Sequence, residues 1–432
     1  MLDRGACFED PSRRSFSIGL ARHQLYYPLG AEILPLWQQA AEEPLAATRR
    51  TPIREKDLKG LKYFKLLGSL LERLHDDATT RDRAGNRCLF YDQYACLLLL
   101  FFFNPIVKSL RGIQQASTLD KVQRLFGCNR VSRGSLSEAS RVFDPELLHP
   151  LIGDLAARSL PLVHGKEAEA LRGLTAVDGS LLPALPKMAW ALWLDPQHRA
   201  AKMHVHFDVL KGVPIETTVT TGNDSETEQL RATLQAQRLY VIDRGYAEYQ
   251  LFQDIVDARS DFIGRLRDNA VWTVVEQRPL TAEALAAGVR SDRLVWLGGP
   301  QSGRVFQQPV RVLEVDTGKT DAQGRPERLL LATSRLDLAA ELVALGYRFR
   351  WSVELFFRWL KCILGCRHLL ANSRDGVTIQ VYLAIIASLL ISLWVGRKPS
   401  VRTLEMIQFY FTGWATEDEL MAHLNQLKPL TK

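Results

Sequence analysis

The chain has 432 residues, 47% of them apolar and 24% charged, and six cysteines with no C-x2-C pair. That length allows two or three domains and at least one substantial core. The composition is that of an ordinary soluble globular protein, and the sparse cysteines fit a reducing cytoplasm and exclude a disulfide framework. The net charge is +7, with five of those charges on residues 1–150, which points that part of the chain toward nucleic acid. The first thirty residues mix Asp3, Arg4, Glu9, Asp10, Arg13 and Arg14 with no apolar run, so no secretory leader is expected.

Residues 1 to about 50 contain Pro11, Pro28, Pro35 and Pro44 without a sustained period and read as a loosely ordered arm with short helices. From Ile53 the pattern is helical, with Leu58, Leu61, Phe64, Leu67, Leu71 and Leu74 recurring at three and four. Lys56, Lys59, Lys62 and Lys65 line the opposite side, either as a solvated face or in contact with phosphates. A second apolar helix, about Tyr91 to Phe103, ends where Asn104-Pro105 breaks it. Short helices at 109–116 and 119–126, the turn Gly127-Cys128-Asn129 and a third helix capped by Ser132 and running to Val142 resemble a helix-turn-helix. Arg133, Ser135, Ser137 and Arg141 would then be available to DNA, although a three-helix packing unit fits the same letters.

After Pro145 and Pro161 the pattern changes to β. Residues 174–180 form a short run ending in Asp178 and a turn, residues 201–209 a second, and Gly212-Val213-Pro214 turns into a third at 215–221, an antiparallel meander. A helix at 226–237, a buried strand at 239–243, a helix at about 248–258 and a strand at 262–266 follow. Three strands, a helix, a strand, a helix and a strand is the order of a ribonuclease-H-like fold. Residues 271–275, 294–297, 310–315 and 328–332 then read as strands of an all-β insertion. Tyr94 to Phe103 is too short to cross a bilayer; Val377 to Val395 is long enough but contains Gln380, Ser388 and Ser392 and reads as a buried helix. The tail from Arg397 is helical and amphipathic.

Residues 347–361 read Y-R-F-R-W-S-V-E-L-F-F-R-W-L-K. At about 100° per residue, a helix would set Tyr347, Arg350, Glu354 and Lys361 on one stripe roughly 60° wide. This is either a surface stripe of Arg350–Glu354 and Glu354–Arg358 pairs, or a buried carboxylate flanked by cations that hold a polyanion. Asp178 and Asp243 each follow an apolar strand, at the edge of an α/β sheet where side chains face a crevice. With Glu354 they make three oxygen donors suited to Mg²⁺, or Mn²⁺ as a substitute, and with a bridging phosphate to two such ions. Asp208 and Asp224 are rival acids. His204 and His206 alternate with apolar residues and read as structural, and Cys362, Cys366 and His368 lack a fourth ligand for zinc.

The motif Y-x2-R-x3-E-x6-K, here Tyr347, Arg350, Glu354 and Lys361, resembles the signature of the DDE transposases of the bacterial insertion sequence four group. Arg350-Trp351, Phe357 and Leu360 extend the match, residues 177–180 resemble the family's first-aspartate block, and residues 241–246 its second. The resemblance spans roughly residues 100–395. It implies a ribonuclease-H-like catalytic domain (151–270 and 334–395) with a β insertion (271–333), a helical N-terminal region (1–150) that binds transposon ends, and a helical tail (396–432). The implied activity is metal-dependent cleavage at insertion-sequence ends and strand transfer into target DNA. A ribonuclease-H-like nuclease and a catalytically silent DNA-binding protein are the competing readings.

Asp178, Asp243 and Glu354 would hold the metals, and Tyr347, Arg350 and Lys361 would contact phosphates, arginine by a planar fork and lysine as a point charge. Trp351 could stack on a displaced base, as could Trp272 or Trp296. Arg358 and Arg133 join the DNA-facing set, and Arg244 is a partner for Asp243 or for a phosphate. Two ends must be cut and joined together, so a homodimer on paired double-stranded ends is expected, cytoplasmic and nucleoid-associated in a bacterium, without a membrane.

Overall fold

The computed structural model describes residues 71, 74, 75 and 87–426, apart from 194, 300–305, 321–323 and 325. The proline-rich arm, the four lysines at 56–65 and most of the helix expected from Ile53 lie outside the described residues.

Local signals set the first helices. Helix α1 (Tyr91–Phe103) ends at Asn104, ahead of Pro105. Helices α2 (Leu110–Ala116) and α4 (Arg133–Val142) start where Ser109 and Ser132 accept a backbone N–H from three residues on, each filling an otherwise orphaned donor. Between them, α3 (Asp120–Phe126) closes on Gly127, whose φ of 61° is the left-handed turn that glycine adopts freely. Helices α5 (His149–Arg158) and α6 (Lys166–Ala170) lead into the sheet.

Ten strands form one mixed sheet, with α-helices on both faces. Its first five strands are β1 (Leu174–Pro183), β2 (Leu192–Trp193), β3 (Asp195–Asp208), β4 (Val213–Thr221) and, after α7 (Glu226–Ala232), β5 (Leu239–Ile242). Helix α8 (Tyr249–Asp257) connects to β6 (Asp261–Arg265), and β7 (Trp272–Arg278), β8 (Val289–Leu297), β9 (Val310–Thr320) and β10 (Pro326–Thr333) complete it. Strand β1 lies centrally, antiparallel to β3 and parallel to β5, which in turn is parallel to β6. Strand β4 pairs with the outer side of β3.

The strands of 271–333 do not stand apart: β10 pairs antiparallel with β6, so they extend the same sheet. Nor is this stretch all β, as its sequence suggests. Thr281 accepts the Ala284 N–H and starts one helical turn, α9 (Ala282–Ala286), which buries Ala284. Asp178 also departs from expectation. The Gly179-Ser180 pair reads as a turn, yet β1 runs on to Pro183 because the long strand β3 pairs with it residue for residue.

Period-2 alternation sends successive residues of the central strands into two cores. Ala176, Leu239, Val241 and Ile263 enter one, and Val177, Tyr240, Ile242 and Phe262 the other. Helix α8 buries Leu251, Phe252 and Ile255 in the second core. The first is covered by α10 (Ala340–Arg348), α11 (Trp351–Arg358) and α12 (Arg374–Val395). By length and composition α12 could cross a membrane, but 89% of its apolar window is buried within the protein, as the polar residues inside it suggest. Helices α13 (Val401–Phe411) and α14 (Glu417–Gln426) form the expected helical tail.

Candidate functional site

The register of β1 and β5 places the two aspartates. Ala176 stands opposite Val241 on these parallel strands, and both side chains enter the core under α10 to α12. Two residues further on, the same face carries Asp178 on β1 and Asp243 just past β5. Parallel neighbours lie about 4.8 Å apart, which fixes the spacing of the two backbones. Asp178 is therefore past the end of the parallel pairing though not past the end of its strand. Helix α11 packs on β1 from this side and brings Glu354 over the pair.

The stripe from Tyr347 to Lys361 does not lie on one continuous helix. Helix α10 ends at Arg348, Arg350 stands as the N-cap of α11, and residues Trp359–Ile363 widen into a π-helical turn. Residues 347–363 contain neither glycine nor proline, although Gly346 lies in the last turn of α10 and Gly365, at a φ of 83°, follows the π turn. Arg350 and Glu354 still meet, with Nη2 donating to Oε1 at 2.7 Å, and Nη1 lies 3.9 Å from Asp178 Oδ2. The buried Tyr347 hydroxyl lies beside the same guanidinium, and the Trp351 ring lies 5.9 Å below it. Lys361, on the π turn, donates to Ser180 Oγ at 2.8 Å and so reaches the strand that carries Asp178.

Burial pushes the Asp178 carboxyl up to about 7; Arg350 opposes this, while Asp243, Glu226 and Glu354 add to it. Burial also raises Glu354, against the pull of Arg350. Burial disfavours the Arg350 charge, yet Tyr347, Glu354, Asp178 and Asp243 more than offset it and hold the proton firmly. The centre is thus rich in carboxylates and short of positive charge. Its donors are oxygens only, a set that fits a hard divalent cation. Among the described residues no three acidic, histidine or cysteine side chains close into a metal cluster; Arg350 stands between Glu354 and Asp178 instead.

A pH dependence follows from Asp178. Its folded-state pKa lies above the ordinary value of 3.8, so the folded chain holds this proton more tightly than the unfolded chain does. The stability this contributes is complete below about pH 4 and is lost as pH rises through about 7. In the presence of a chelator the melting temperature is expected to fall between pH 5 and pH 8, and Asp178→Asn should flatten that fall. An equal slope in parent and variant would contradict the assignment.

Several other expected residues lie elsewhere. Arg244 pairs with Asp268 at 3.3 Å instead of with Asp243, because the 3-10 turn Arg244–Tyr246 carries it outward while Asp243 caps that turn. Arg358 is exposed on α11, and Arg133 is exposed on α4. Trp272 and Trp296 lie on the paired strands β7 and β8. The rival acids have structural partners: Asp208 accepts from Arg238 at 3.3 Å, and Asp224 accepts the Thr221 N–H at 3.0 Å. His204 and His206 are buried and bonded to Thr220 and Thr233, and burial lowers both to about 4. Cys366 is buried while Cys362 and His368 are exposed, so they form no cluster.

Glu226 carries no mark in the sequence that separates it from an ordinary acid in a first helical turn. The Ser225 cap starts α7 and turns Glu226 toward β1. A Cβ on Gly179 would meet its Oε1 at 2.7 Å, so the Glu226 carboxylate lies directly against the backbone beside Asp178 and would have to shift to admit a side chain there. Lys202 lies 3.4 Å from that oxygen, and the buried Tyr246 lies beside the same carboxylate.

A mixed α/β sheet with acids gathered where two parallel strands part is the setting of an enzyme class that works on phosphate chains. The family described as Transposase DDE domain matches residues 169–390, just over half of the chain, and the chain belongs to that family. It is 28% identical over 222 residues to y4zB of Sinorhizobium fredii, named as a transposase, covering 51% of this chain and 60% of that protein. It is 26% identical over 234 residues to the transposase named for insertion sequence element IS5377 of Geobacillus stearothermophilus, covering 52% and 59% respectively. The chain thus spans about 60% of the length of the curated relatives it matches. The solved piggyBac transposase synaptic complex with hairpin DNA aligns over 85% of both chains with a TM-score of 0.40 and 12% identity, too loose a likeness to carry any argument.

Proposed function

We propose that this chain is a transposase of the insertion sequence four group that cleaves DNA at insertion-sequence ends and transfers the freed strands into target DNA. The observation that carries this reading is the meeting of Asp178, Asp243 and Glu354 around Arg350, in a chain of the DDE family. The spatial order β4-β3-β1-β5-β6, with the first three strands antiparallel and the last two parallel to β1, supports a ribonuclease-H-like catalytic domain.

Asp178, Asp243 and Glu354 would hold Mg²⁺ or Mn²⁺, in a pair where phosphate bridges. Such ions would supply Lewis-acid polarisation of the phosphoryl oxygens and charge for the attacking and leaving groups. The chain's own residues do the positioning. Arg350, steadied by Tyr347 and Glu354, offers a planar fork to a phosphate that arrives between the carboxylates. Lys361, steered by Ser180, adds a point charge beside β1. Trp351, half-buried with the Arg350 guanidinium over its ring, would stack on a base displaced next to the scissile bond. Arg358 and Arg133, both exposed, extend the contact to the flanking duplex, and two copies on paired ends would make cutting and joining concerted.

The test is the full chain incubated with Mg²⁺ and a linear duplex carrying the terminal repeats of its own element, together with a target plasmid. End-specific nicks followed by joined products are expected. Cleavage without joining would reduce the reading to a nuclease; neither product would overturn it.

A further inference from the structure

We infer that Glu226 is a positioning residue of the metal site: from the opposite face of β1 it holds the turn that carries Asp243 in place relative to Asp178. This rests on the transposase reading and adds to it the group that sets the spacing of its first two carboxylates.

A gap in the backbone pairing creates the need. The ladder of β1 with β5 ends at Ala176 and Val241, and that of β5 with β6 ends at Ile242 and Gly264. Asp178 stays fixed beyond this point, because β1 remains paired with β3 as far as Pro183. Asp243 lies past both ladders of its own strand. The Gly245 N–H donates to its Oδ1 at 2.7 Å and the Tyr246 N–H to its carbonyl at 3.2 Å, bonds made within the turn itself. Donors to a metal must be held within about 0.5 Å of the productive geometry, so a contact from outside the turn is required.

Glu226 supplies that contact. Adjacent residues of a strand face opposite sides of the sheet, so position 179 faces α7 while Asp178 faces α11. Glycine leaves the position bare, and the Glu226 side chain lies flat on it: a Cβ there would meet Oε1 at 2.7 Å, Cδ at 2.8 Å and Cγ at 3.1 Å. Tyr246, the last residue of the turn that Asp243 caps, is 1% exposed and lies beside the same carboxylate. Helix α7 packs on both β1 and that turn. One side chain thus spans from the backbone next to Asp178 to the ring three residues after Asp243.

Glu226 is itself held in place. Lys202 on β3 reaches its Oε1 at 3.4 Å and donates to the Asp224 carbonyl at 3.0 Å, which ties the start of α7 to the strand beside β1. Glu228, in the same first turn, shows what an ordinary acid there does: it pairs with Arg231 in solvent, near the positive end of the helix. Glu226 is turned inward instead. On the far face of β1 from Asp178, it acts through the backbone and not as a further donor to the ions.

The test titrates Mn²⁺ into the full chain and follows the loss of the free-ion electron paramagnetic resonance signal, for the parent, Glu226→Ala, Glu226→Asp and a Glu228→Ala control. Loss of an outer residue that orients metal ligands costs about 10–100-fold in metal affinity. Glu226→Ala should lose that much, Glu226→Asp a smaller part because its shorter side chain withdraws the carboxylate from Gly179, and Glu228→Ala nothing. In end cleavage the half-saturating Mn²⁺ concentration should rise while the rate at saturating Mn²⁺ returns toward that of the parent, a split that lowered stability alone does not produce. Parental Mn²⁺ affinity in Glu226→Ala, or an equal loss in Glu228→Ala, overturns the role of Glu226. If a thermal melt shows Glu226→Ala unfolded, Glu226→Asp decides: weakened binding supports the role and parental binding overturns it. A parent that takes up no Mn²⁺ removes the metal reading of the three carboxylates as well.

Discussion

Glu354→Gln is expected to leave the chain folded and bound to end DNA while slowing cleavage by at least about 10³-fold. Glutamine keeps the shape of the side chain and an oxygen that can accept from Arg350 Nη2, the bond seen at 2.7 Å. What it loses is the negative charge, and with it one of the three donors proposed for a divalent ion. Burial already disfavours the ionised Glu354, so removing the charge costs the fold little. Single-turnover cleavage and an electrophoretic mobility shift on the same duplex separate the two effects. If the variant cuts as fast as the parent, Glu354 is not a member of the site. If both binding and cleavage vanish, a thermal melt decides between lost structure and lost contact.

Arg311→Leu should cost about 3–5 kcal/mol of folding stability, measured by chemical denaturation. Arg311 is only 2% exposed, deep in the sheet on β9. Its guanidinium donates to both carboxylate oxygens of Asp292 on β8, at 3.2 and 2.5 Å, and to the carbonyls of Arg335 and Leu338. Leucine leaves Asp292 charged and unpaired in the interior, and frees the turn that leads into α10. The Arg311→Leu/Asp292→Leu double variant should recover much of the loss, because replacing both partners of a buried pair by apolar groups is far milder than orphaning one. Equal destabilisation in the single and double variants would show that the carbonyl contacts, not the ion pair, carry the effect.

The parts of the molecule legible in the sequence are those decided locally. Ser109 and Ser132 announce α2 and α4 because a cap acts within three residues, and Asn104-Pro105 stops α1 for the same reason. Asp243 was readable at the end of a four-residue apolar strand. What was not legible depends on partners far away in the chain. Asp178 looks terminal until β3, which begins at Asp195, extends its strand. Arg311 sits in a strand-like run where nothing marks it as buried, since the carboxylate that neutralises it is 19 residues back. The break between Tyr347 and Trp351 has no proline or glycine within it, only Gly346 one residue ahead, and so leaves little mark in the sequence. Glu226 is the clearest omission in the site, visible only once Gly179 is seen to make room for it.

The pairing of Ala176 with Val241 has a consequence for how such a site can change over time. The distance between the two aspartates is written in the backbone ladder, so exchanging one core hydrophobe for another leaves it untouched. Adding or deleting a single residue in β5 acts differently, because a slip of one position turns every side chain on that strand to the opposite face. Asp243 would then look away from Asp178, with the strand itself still buried and paired. Drift by substitution is tolerated in this strand and drift by length is not, which makes insertions and deletions between Leu239 and Asp243 the surest marks of a copy that has lost its chemistry while keeping its fold.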